Sequence, residues 1–185
     1  MRNFKTVDLV TIALVAAILC ILAPVSFSVP FTIIPITLGL FTIVMAGIIL
    51  GKTKGTICVM IYILLGAVGL PVFSGYIGGV QKIAGPTGGY IWGYLFLAWI
   101  TGFFVEKFAG KWYMCFLGAV LGTAVCYAFG TVWLAVQMKM EPMEALWAGV
   151  IPFIPFDLIK IVIAVAACCP VRSILVKQNL IRTAA

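Results

Sequence analysis

Asp157 and Lys160 are the side chains in this sequence whose types and spacing could do chemistry. They are the only charged residues between Glu144 and Arg172, within an otherwise apolar stretch of membrane-spanning length. A charge inside lipid costs roughly 2.5–3.5 kcal/mol, so such residues usually face a cavity or each other. The i, i+3 spacing places both on one face of a helix, a single turn apart. An acid beside a base can bind a polar ligand of mixed character; alternatively, the two form an ion pair that only orients the helix.

The composition places this pair in a membrane protein. Of the 185 residues, 64% are hydrophobic and only 9% are charged, and apolar runs of membrane-spanning length recur along the chain. We expect one membrane domain over residues 1–185, without a cleaved signal peptide. The basic residues behind the net charge of +7 are scattered at segment ends, which argues against a nucleic-acid partner. Histidine is absent and the six cysteines lack ligand spacing, so we expect no cofactor and no metal site.

The apolar runs predict an all-α fold, an integral membrane bundle of six transmembrane helices. The predicted spans cover residues about 7–22, 35–50, 53–68, 90–105, 112–137 and 143–176. Pro35 suits the first position of the second span, and prolines interrupt the sixth span at Pro152 and Pro155.

The distribution of basic residues predicts that both termini are cytoplasmic. In that orientation nine of them lie inside: Arg2, Lys5, Lys52, Lys54, Lys107, Lys111, Arg172, Lys177 and Arg182. Only Lys82 and Lys139 lie in outer loops, as the positive-inside rule requires. The outer connections are long, apolar and rich in proline, and irregular backbone near a membrane is tolerated where it lines a cavity. We therefore expect a ligand pocket in the outer half of the bundle.

The segment from Gly69 to Gly89, the third outer loop, is predicted to cover this pocket. Seven of its 21 residues are glycine, which lets backbone approach a ligand closely, and Thr87 adds a polar group for a substrate. The segment is long for a connection without secondary structure of its own. A lid or pocket wall is therefore favoured over a flexible connector.

The sixth span should bring its charges under this loop. Pro155 as a first helical residue places Asp157 in the first turn, where the helix dipole favours a carboxylate, and Lys160 one turn deeper. The fifth span offers a facing wall for a substrate in Tyr127 and Trp133. Packing against other helices or lipid explains each of these two aromatics equally well.

Residues 47–53 resemble a phosphate-binding loop but are one residue short and end a membrane helix, so we expect no ATPase site and no enzyme activity. Uphill transport would then need energy from a partner or an ion gradient. A stand-alone or ion-coupled membrane carrier is the main alternative to a transporter that depends on an ATPase partner. A lipid-modifying membrane enzyme, which would need histidine, paired acids or metal ligands, and a purely structural membrane partner are the others.

Three segments carry a resemblance to a known family. They are LLGAVGLPVFSGYIGGVQKIAGPTGGYIWG at residues 64–93, PFIPFDLIKIVIA at residues 152–164, and PFTIIPITL at residues 30–38. Together they resemble the BioY family, the biotin-capture (S) subunits of energy-coupling factor (ECF) transporters, over nearly the whole chain.

The resemblance implies that the substrate is biotin, taken up across a prokaryotic cell membrane. It also implies a transmembrane coupling protein and two cytoplasmic ATPase subunits as partners, in addition to the lipid bilayer. Asp157 and Lys160 match the family's acid–base pair in the biotin site. Gly78, Gly79 and Tyr90 match its glycine-rich loop and the helix that follows.

Two further features follow from the resemblance. The family docks on its coupling protein through small residues of the first helix, and Ala13 and Ala17 form such a pattern here. Ile77 stands where some relatives have a polar loop residue, so we expect no side-chain hydrogen bond from that position in this chain. Biotin has a ureido ring with donors and an acceptor, and a carboxylate tail. Which end meets Asp157 and which meets Lys160 is left open by the sequence.

Overall fold

The computed structural model describes residues 6–27, 35–178 and 180–181, which form a helical bundle with one small β-ladder. Within these residues the helices are α1 (Thr6–Leu22), α2 (Gly39–Ala67), α3 (Val80–Ala84), α4 (Gly88–Lys107), α5 (Trp112–Met138), α6 (Pro142–Gly149) and α7 (Ile154–Lys177). Strands β1 (Ser26–Phe27) and β2 (Ile36–Thr37) pair antiparallel between α1 and α2. Helix α2 packs against α1, α4 and α7, and α5 packs against α4, α6 and α7, so these contacts enclose the core.

The surface of this bundle is suited to lipid. Among the described helices, α2, α4, α5 and α7 are long and apolar enough to cross a membrane, and α1 is a shorter apolar helix. Large apolar side chains such as Val132, Val136 and Ile159 are exposed along them, which lipid accepts and water does not. Trp112 and Trp147 are exposed near the ends of the bundle, where amphipathic rings suit a membrane interface.

Helix α2 reverses direction at Gly51. This residue has φ 80° and ψ −175°, outside the helical region. A Cβ atom at Gly55 would lie 3.0 Å from the carbonyl oxygen of Ala46, whereas a straight helix would separate the two residues by about 13 Å. Residues 39–50 and 52–67 are therefore antiparallel halves. We call the end of the bundle at Gly51 the hairpin end, and the opposite end, which carries residues 68–87, the loop end.

The prediction that the second span begins at Pro35 is wrong. Ile36 and Thr37 form β2, and the helix begins only at Gly39, whose backbone N–H donates to the Thr37 hydroxyl at 3.1 Å. The pairing of β2 with β1, ten residues earlier in the chain, cannot be recognised from the local sequence pattern. Residues 30–34 of the PFTIIPITL segment lie outside the described residues.

The prolines of the predicted sixth span divide it into two helices. Helix α6 ends at Gly149 and α7 begins at Ile154, with Pro152 between them. Pro155 lies at the start of α7 and Asp157 in its first turn, as predicted. A proline is tolerated at a helix start because that position needs no N–H donor.

Two charged residues hold the turn at the hairpin end. Arg172 was counted among the inner-face cations, but only 4% of it is exposed. Its Nη1 donates to the carbonyl oxygens of Ile48 and Ile49 at 2.8 and 2.9 Å. Glu106 Oε1 accepts a hydrogen bond from the backbone N–H of Lys52 at 3.1 Å. Together they satisfy backbone groups that the break in α2 would leave unpaired.

Replacing Arg172 should therefore destabilise the bundle. Arg172→Met keeps most of the volume but leaves two buried carbonyls unpaired, a cost of about 2 kcal/mol. We expect the thermal unfolding midpoint in detergent to fall by about 4–8 °C. Lys177→Met removes an exposed charge from the same helix and serves as the matched control. Equal midpoints for the two variants would show that Arg172 is not a structural clamp.

Candidate ligand-binding site

A cavity of about 80 Å³ lies at the loop end, among α2, α4, α5, α7 and the glycine-rich segment. Its described lining residues are Ala23, Pro35, Thr37, Gly39, Leu40, Phe73, Ser74, Lys82, Thr87, Tyr90, Ile91, Tyr94, Cys126, Tyr127, Gly149, Phe153, Asp157 and Lys160. The lining combines aromatic rings with hydroxyl groups and three charged side chains. This mixture is typical of a site for a small, partly polar ligand.

Asp157 is the centre of the polar part of the cavity. It is only 6% exposed, and its Oδ1 accepts a hydrogen bond from Lys160 Nζ at 2.7 Å. Its Oδ2 accepts a hydrogen bond from the Tyr127 hydroxyl. The predicted acid–base pair therefore forms an ion pair and also lines the cavity. Ligand binding by the pair stays a prediction.

This arrangement leaves unused hydrogen-bonding capacity toward the cavity. A carboxylate has about four lone-pair sites, and two of those on Asp157 are used by described partners. A lysine ammonium has three donors, and one of those on Lys160 is used. The site can therefore accept N–H groups and donate to a carbonyl or a carboxylate at neighbouring points.

Tyr90, predicted as a site residue, lines the cavity between two glycines. Its hydroxyl donates to the Gly149 carbonyl at 3.1 Å. A Cβ atom at Gly130 would lie 2.3 Å from the Tyr90 ring, and one at Gly149 would lie 2.2 Å from its hydroxyl oxygen. Both glycines are therefore needed to make room for the ring.

Tyr94, which the sequence analysis missed, also lines the cavity. Its i, i+4 spacing from Tyr90 on one helix face was the signal that could have identified it.

Gly78 and Gly79 shape the loop and are not among the described lining residues. A Cβ atom at Gly78 would lie 2.3 Å from the carbonyl oxygen of Leu70. Gly79 has φ 102°, which strongly favours glycine, and its N–H donates to the Gly66 carbonyl at 2.7 Å. These contacts fold the segment back onto the end of α2. Direct ligand contact by either glycine stays a prediction.

The folded segment presents Phe73 to the cavity. Its ring packs edge-on against Tyr62 at 5.5 Å and lies over Gly66, where a Cβ atom would be 2.1 Å from the ring. Phe73 also pairs with Ile77 in an isolated β-bridge. Ile77 itself is 49% exposed and is not among the described lining residues. The segment also contains the short helix α3, which the predicted spans do not include.

Trp133, predicted as a wall of the site, anchors the loop from outside the described lining. Its indole Nε1 donates to the Gly85 carbonyl at 3.0 Å. One turn further along α5, Gln137 Nε2 donates to the Ala84 carbonyl at 2.9 Å. The two bonds hold the end of α3 against α5. Thr87, which follows this clamp, does line the cavity.

Weakening this clamp should loosen the loop. Trp133→Phe removes the bond to Gly85 at a cost of about 1 kcal/mol, which corresponds to a roughly fivefold change in an equilibrium. We expect amide hydrogen exchange of residues 80–88 to accelerate by about that factor. Trp147→Phe changes an exposed indole and is the control. Unchanged exchange in residues 80–88 of Trp133→Phe would contradict the clamp.

Lys82 is the second residue that the sequence analysis missed as part of the site. It lies in the last turn of α3 and lines the cavity. In the sequence it is distinguished only as one of two basic residues in outer loops. A lysine within a long apolar, glycine-rich segment was the signal that could have identified it.

A separate apolar groove lies between α1 and the second half of α2. Its volume is about 530 Å³, and its described lining contains Ala13 and Ala17, together with Leu9, Ile12, Ala16, Cys20, Ile57, Ile61, Leu65, Leu70 and Val72. The two predicted docking alanines therefore face a common surface that is open to the outside of the bundle.

Comparison with known proteins gives a consistent family. The BioY family model matches residues 1–177. The biotin transporter BioY of Thermotoga maritima is 40% identical over 138 residues, which cover 74% of this chain and 80% of that protein. The biotin transporter BioY of Rhizobium etli is 39% identical over 171 residues, covering 86% and 90%.

A solved structure has the same fold. The crystal structure of an S-component for biotin from an ECF-type ABC transporter superposes with a TM-score of 0.85. It is 31% identical in sequence, and the match covers 94% of each chain.

Proposed function

The chain belongs to the BioY family, and from this membership we propose that it binds biotin in the loop-end cavity as the substrate-specific subunit of an ECF-type biotin transporter. The observation that carries the proposal is the hydrogen-bonded cluster of the buried Asp157 with the half-buried Lys160 and Tyr127 on the wall of that cavity. ATP hydrolysis belongs to separate subunits in this proposal.

The chemistry of the cavity suits biotin. The ureido group of biotin offers two N–H donors and a carbonyl acceptor, and its bicyclic ring is otherwise apolar. Asp157 can accept the N–H bonds while Lys160 donates to the carbonyl, and charged partners strengthen such bonds. Tyr90 and Phe73 supply aromatic faces for the rings. Gly78, Gly79 and Trp133 support the site by holding the loop.

The cavity must widen when biotin binds. Its volume of about 80 Å³ is well below the roughly 300–1,000 Å³ of typical small-molecule sites. The glycine-rich segment is the wall that can move. Hydrogen bonds from Trp133 and Gln137 to two of its carbonyl oxygens hold it in place, whereas long helices form the other walls. We infer that it opens to admit biotin and closes on it.

We further propose six membrane crossings with both termini in the cytoplasm of a prokaryotic cell. The two antiparallel halves of α2 contribute two crossings, and α1, α4, α5 and α7 contribute one each. The first turn of α1 lies at the hairpin end because Asp8 pairs with Lys54, and α7 ends there through Arg172. Six described basic residues belong to this end, only Lys82 and Lys139 lie in connections at the opposite end, and Lys160 lies within α7, which is a positive-inside bias. Arg2, Lys5 and Arg182 lie outside the described residues.

The groove that contains Ala13 and Ala17 is the proposed contact with the transmembrane coupling protein. Small residues on α1 let another helix approach closely, which supports association inside a membrane. The groove is entirely apolar among its described lining residues and lies apart from the biotin cavity, so both partners can bind together.

Calorimetric titration of the detergent-purified protein with biotin tests this function. We expect saturable binding of one biotin per chain and no heat of binding with thiamine, a vitamin of different shape and charge. Absence of biotin binding by the folded protein would overturn the proposal. Proteoliposomes with this chain alone should bind biotin without accumulating it; accumulation driven by an ion gradient would favour an autonomous carrier instead.

A further inference from the structure

The loop-end cavity carries a net positive charge. Among its described lining residues three are charged, namely Lys82, Asp157 and Lys160. Asp157 and Lys160 neutralise each other through their ion pair, which leaves Lys82 as the uncompensated charge. The undescribed part of the neighbouring loop, residues 28–34, contains no ionisable side chain in the sequence. The site therefore complements a ligand with one negative charge.

Lys82 is held at the cavity by the fold around it. It lies in the last turn of α3, two residues before the first of the two carbonyls that Gln137 and Trp133 of α5 bind. Its side chain is half-buried, and the ammonium group forms no hydrogen bond or ion pair with any residue that the structure describes. Burial lowers the pKa of its ammonium group, because the charge loses hydration without gaining a counter-charge. An anion bound beside it would remove that penalty.

Asp157 excludes a carboxylate from its own part of the cavity. Both of its oxygens already accept hydrogen bonds, and its negative charge repels a second carboxylate within a few ångströms. The charge of Lys160 is already neutralised by the same aspartate, so Lys160 attracts a carboxylate less strongly than the unpaired Lys82 does. A ligand with a neutral hydrogen-bonding head and an anionic tail is therefore placed with its head at Asp157 and its tail at the unpaired cation.

We propose that Lys82 binds the carboxylate of biotin and selects the free acid over its uncharged derivatives. This inference rests on the proposed function, since it takes biotin as the ligand. It also assigns the orientation of biotin in the site. The ureido ring lies at Asp157 and Lys160, and the valerate tail extends to α3 in the glycine-rich segment.

The test measures the affinity of two ligands for each of three proteins. Biotin and biotin carboxamide share the ureido ring and differ in the charge of the tail. The unmodified protein should bind biotin about 10–100-fold more tightly than the carboxamide, the range expected for a charge-assisted hydrogen bond. In Lys82→Met the affinity for biotin should fall by that factor while the affinity for the carboxamide stays the same. Lys82→Arg should retain most of the preference.

The controls separate the possible failures. Lys139→Met removes the lysine at the C-terminal end of α5, which is exposed and outside the described lining of the cavity, and should leave both affinities unchanged. If Lys82→Met bound both ligands more weakly by the same factor, Lys82 would not recognise the charge of the tail. The proposal would also be overturned if this variant still preferred biotin to the carboxamide. If the unmodified protein binds neither ligand, the proposed function itself fails.

Discussion

Asp157→Asn is expected to weaken biotin binding by about 10–100-fold, the equivalent of the 1.5–3 kcal/mol that a hydrogen bond to a charged group contributes. The substitution keeps the shape of the side chain but removes its charge. Lys160 then loses its counter-charge, and the Tyr127 hydroxyl competes with the ligand for one remaining carbonyl oxygen. Titration calorimetry of the purified variant measures the change directly.

Two companion variants divide this effect into its parts. Tyr127→Phe removes only the hydroxyl that bonds Asp157, so we expect a loss of about fivefold. Lys160→Ala removes the ion-pair partner and should cost about 1–3 kcal/mol of binding free energy.

The control for the charge change is Glu144→Gln, at an exposed acid in the first turn of α6. It should bind biotin normally. Wild-type affinity in both Asp157→Asn and Lys160→Ala would remove the pair from the binding site. If affinity is kept while the unfolding midpoint falls, the pair serves only to stabilise the helix.

The sequence predicted the part of this site that depends on local rules. A charged side chain in an apolar segment needs a cavity or a charged partner. The i, i+3 spacing of Asp157 and Lys160 places both residues on one face of a helix. Pro155 marked the helix start that places Asp157 in a first turn. Each of these inferences uses contacts within one turn of helix, so no knowledge of the remaining chain was needed.

The sequence could not show which residues of other elements complete the site. The membrane helices are apolar on all faces, so no hydrophobic stripe indicates which face is interior. Trp133 and Tyr127 looked alike for this reason, yet Tyr127 bonds Asp157 and Trp133 holds a loop carbonyl. Lys82 reaches the cavity only because α3 is fixed against α5. Such long-range contacts have no local signature.

The same limit applies at the hairpin end. Arg172 agrees with the predicted excess of basic residues on the inner side. That prediction counts residues by type and position, so it does not distinguish an exposed side chain from a buried one. Its hydrogen bonds to Ile48 and Ile49 join residues more than a hundred positions apart. The reversal of the chain at Gly51 leaves these two carbonyls without a helical partner, and Arg172 binds them. This requirement can be recognised only in the three-dimensional structure.

The glycine-rich segment offers the second large effect, at Gly88. A Cβ atom there would lie 1.8 Å from the carbonyl oxygen of Ile83, which is backbone and cannot rotate away. Gly88→Ala must therefore separate the end of α3 from the start of α4. Because Lys82 and Thr87 flank this contact on the cavity wall, we expect biotin affinity to fall by about 10–100-fold, the equivalent of the 1–3 kcal/mol of overpacking.

Gly75→Ala provides a control that separates steric clash from backbone strain. Gly75 has φ 76°, so alanine is strained there by about 1–2 kcal/mol, but a Cβ atom would find its nearest neighbour at 3.9 Å. It should lower stability slightly and leave Lys82 and Thr87 in place, with affinity within a few-fold of the unmodified protein. Calorimetry and amide exchange of residues 80–88 compare the two variants after gel filtration confirms that both are folded. If Gly88→Ala binds biotin as tightly as Gly75→Ala, the junction of α3 and α4 does not form the wall of the site.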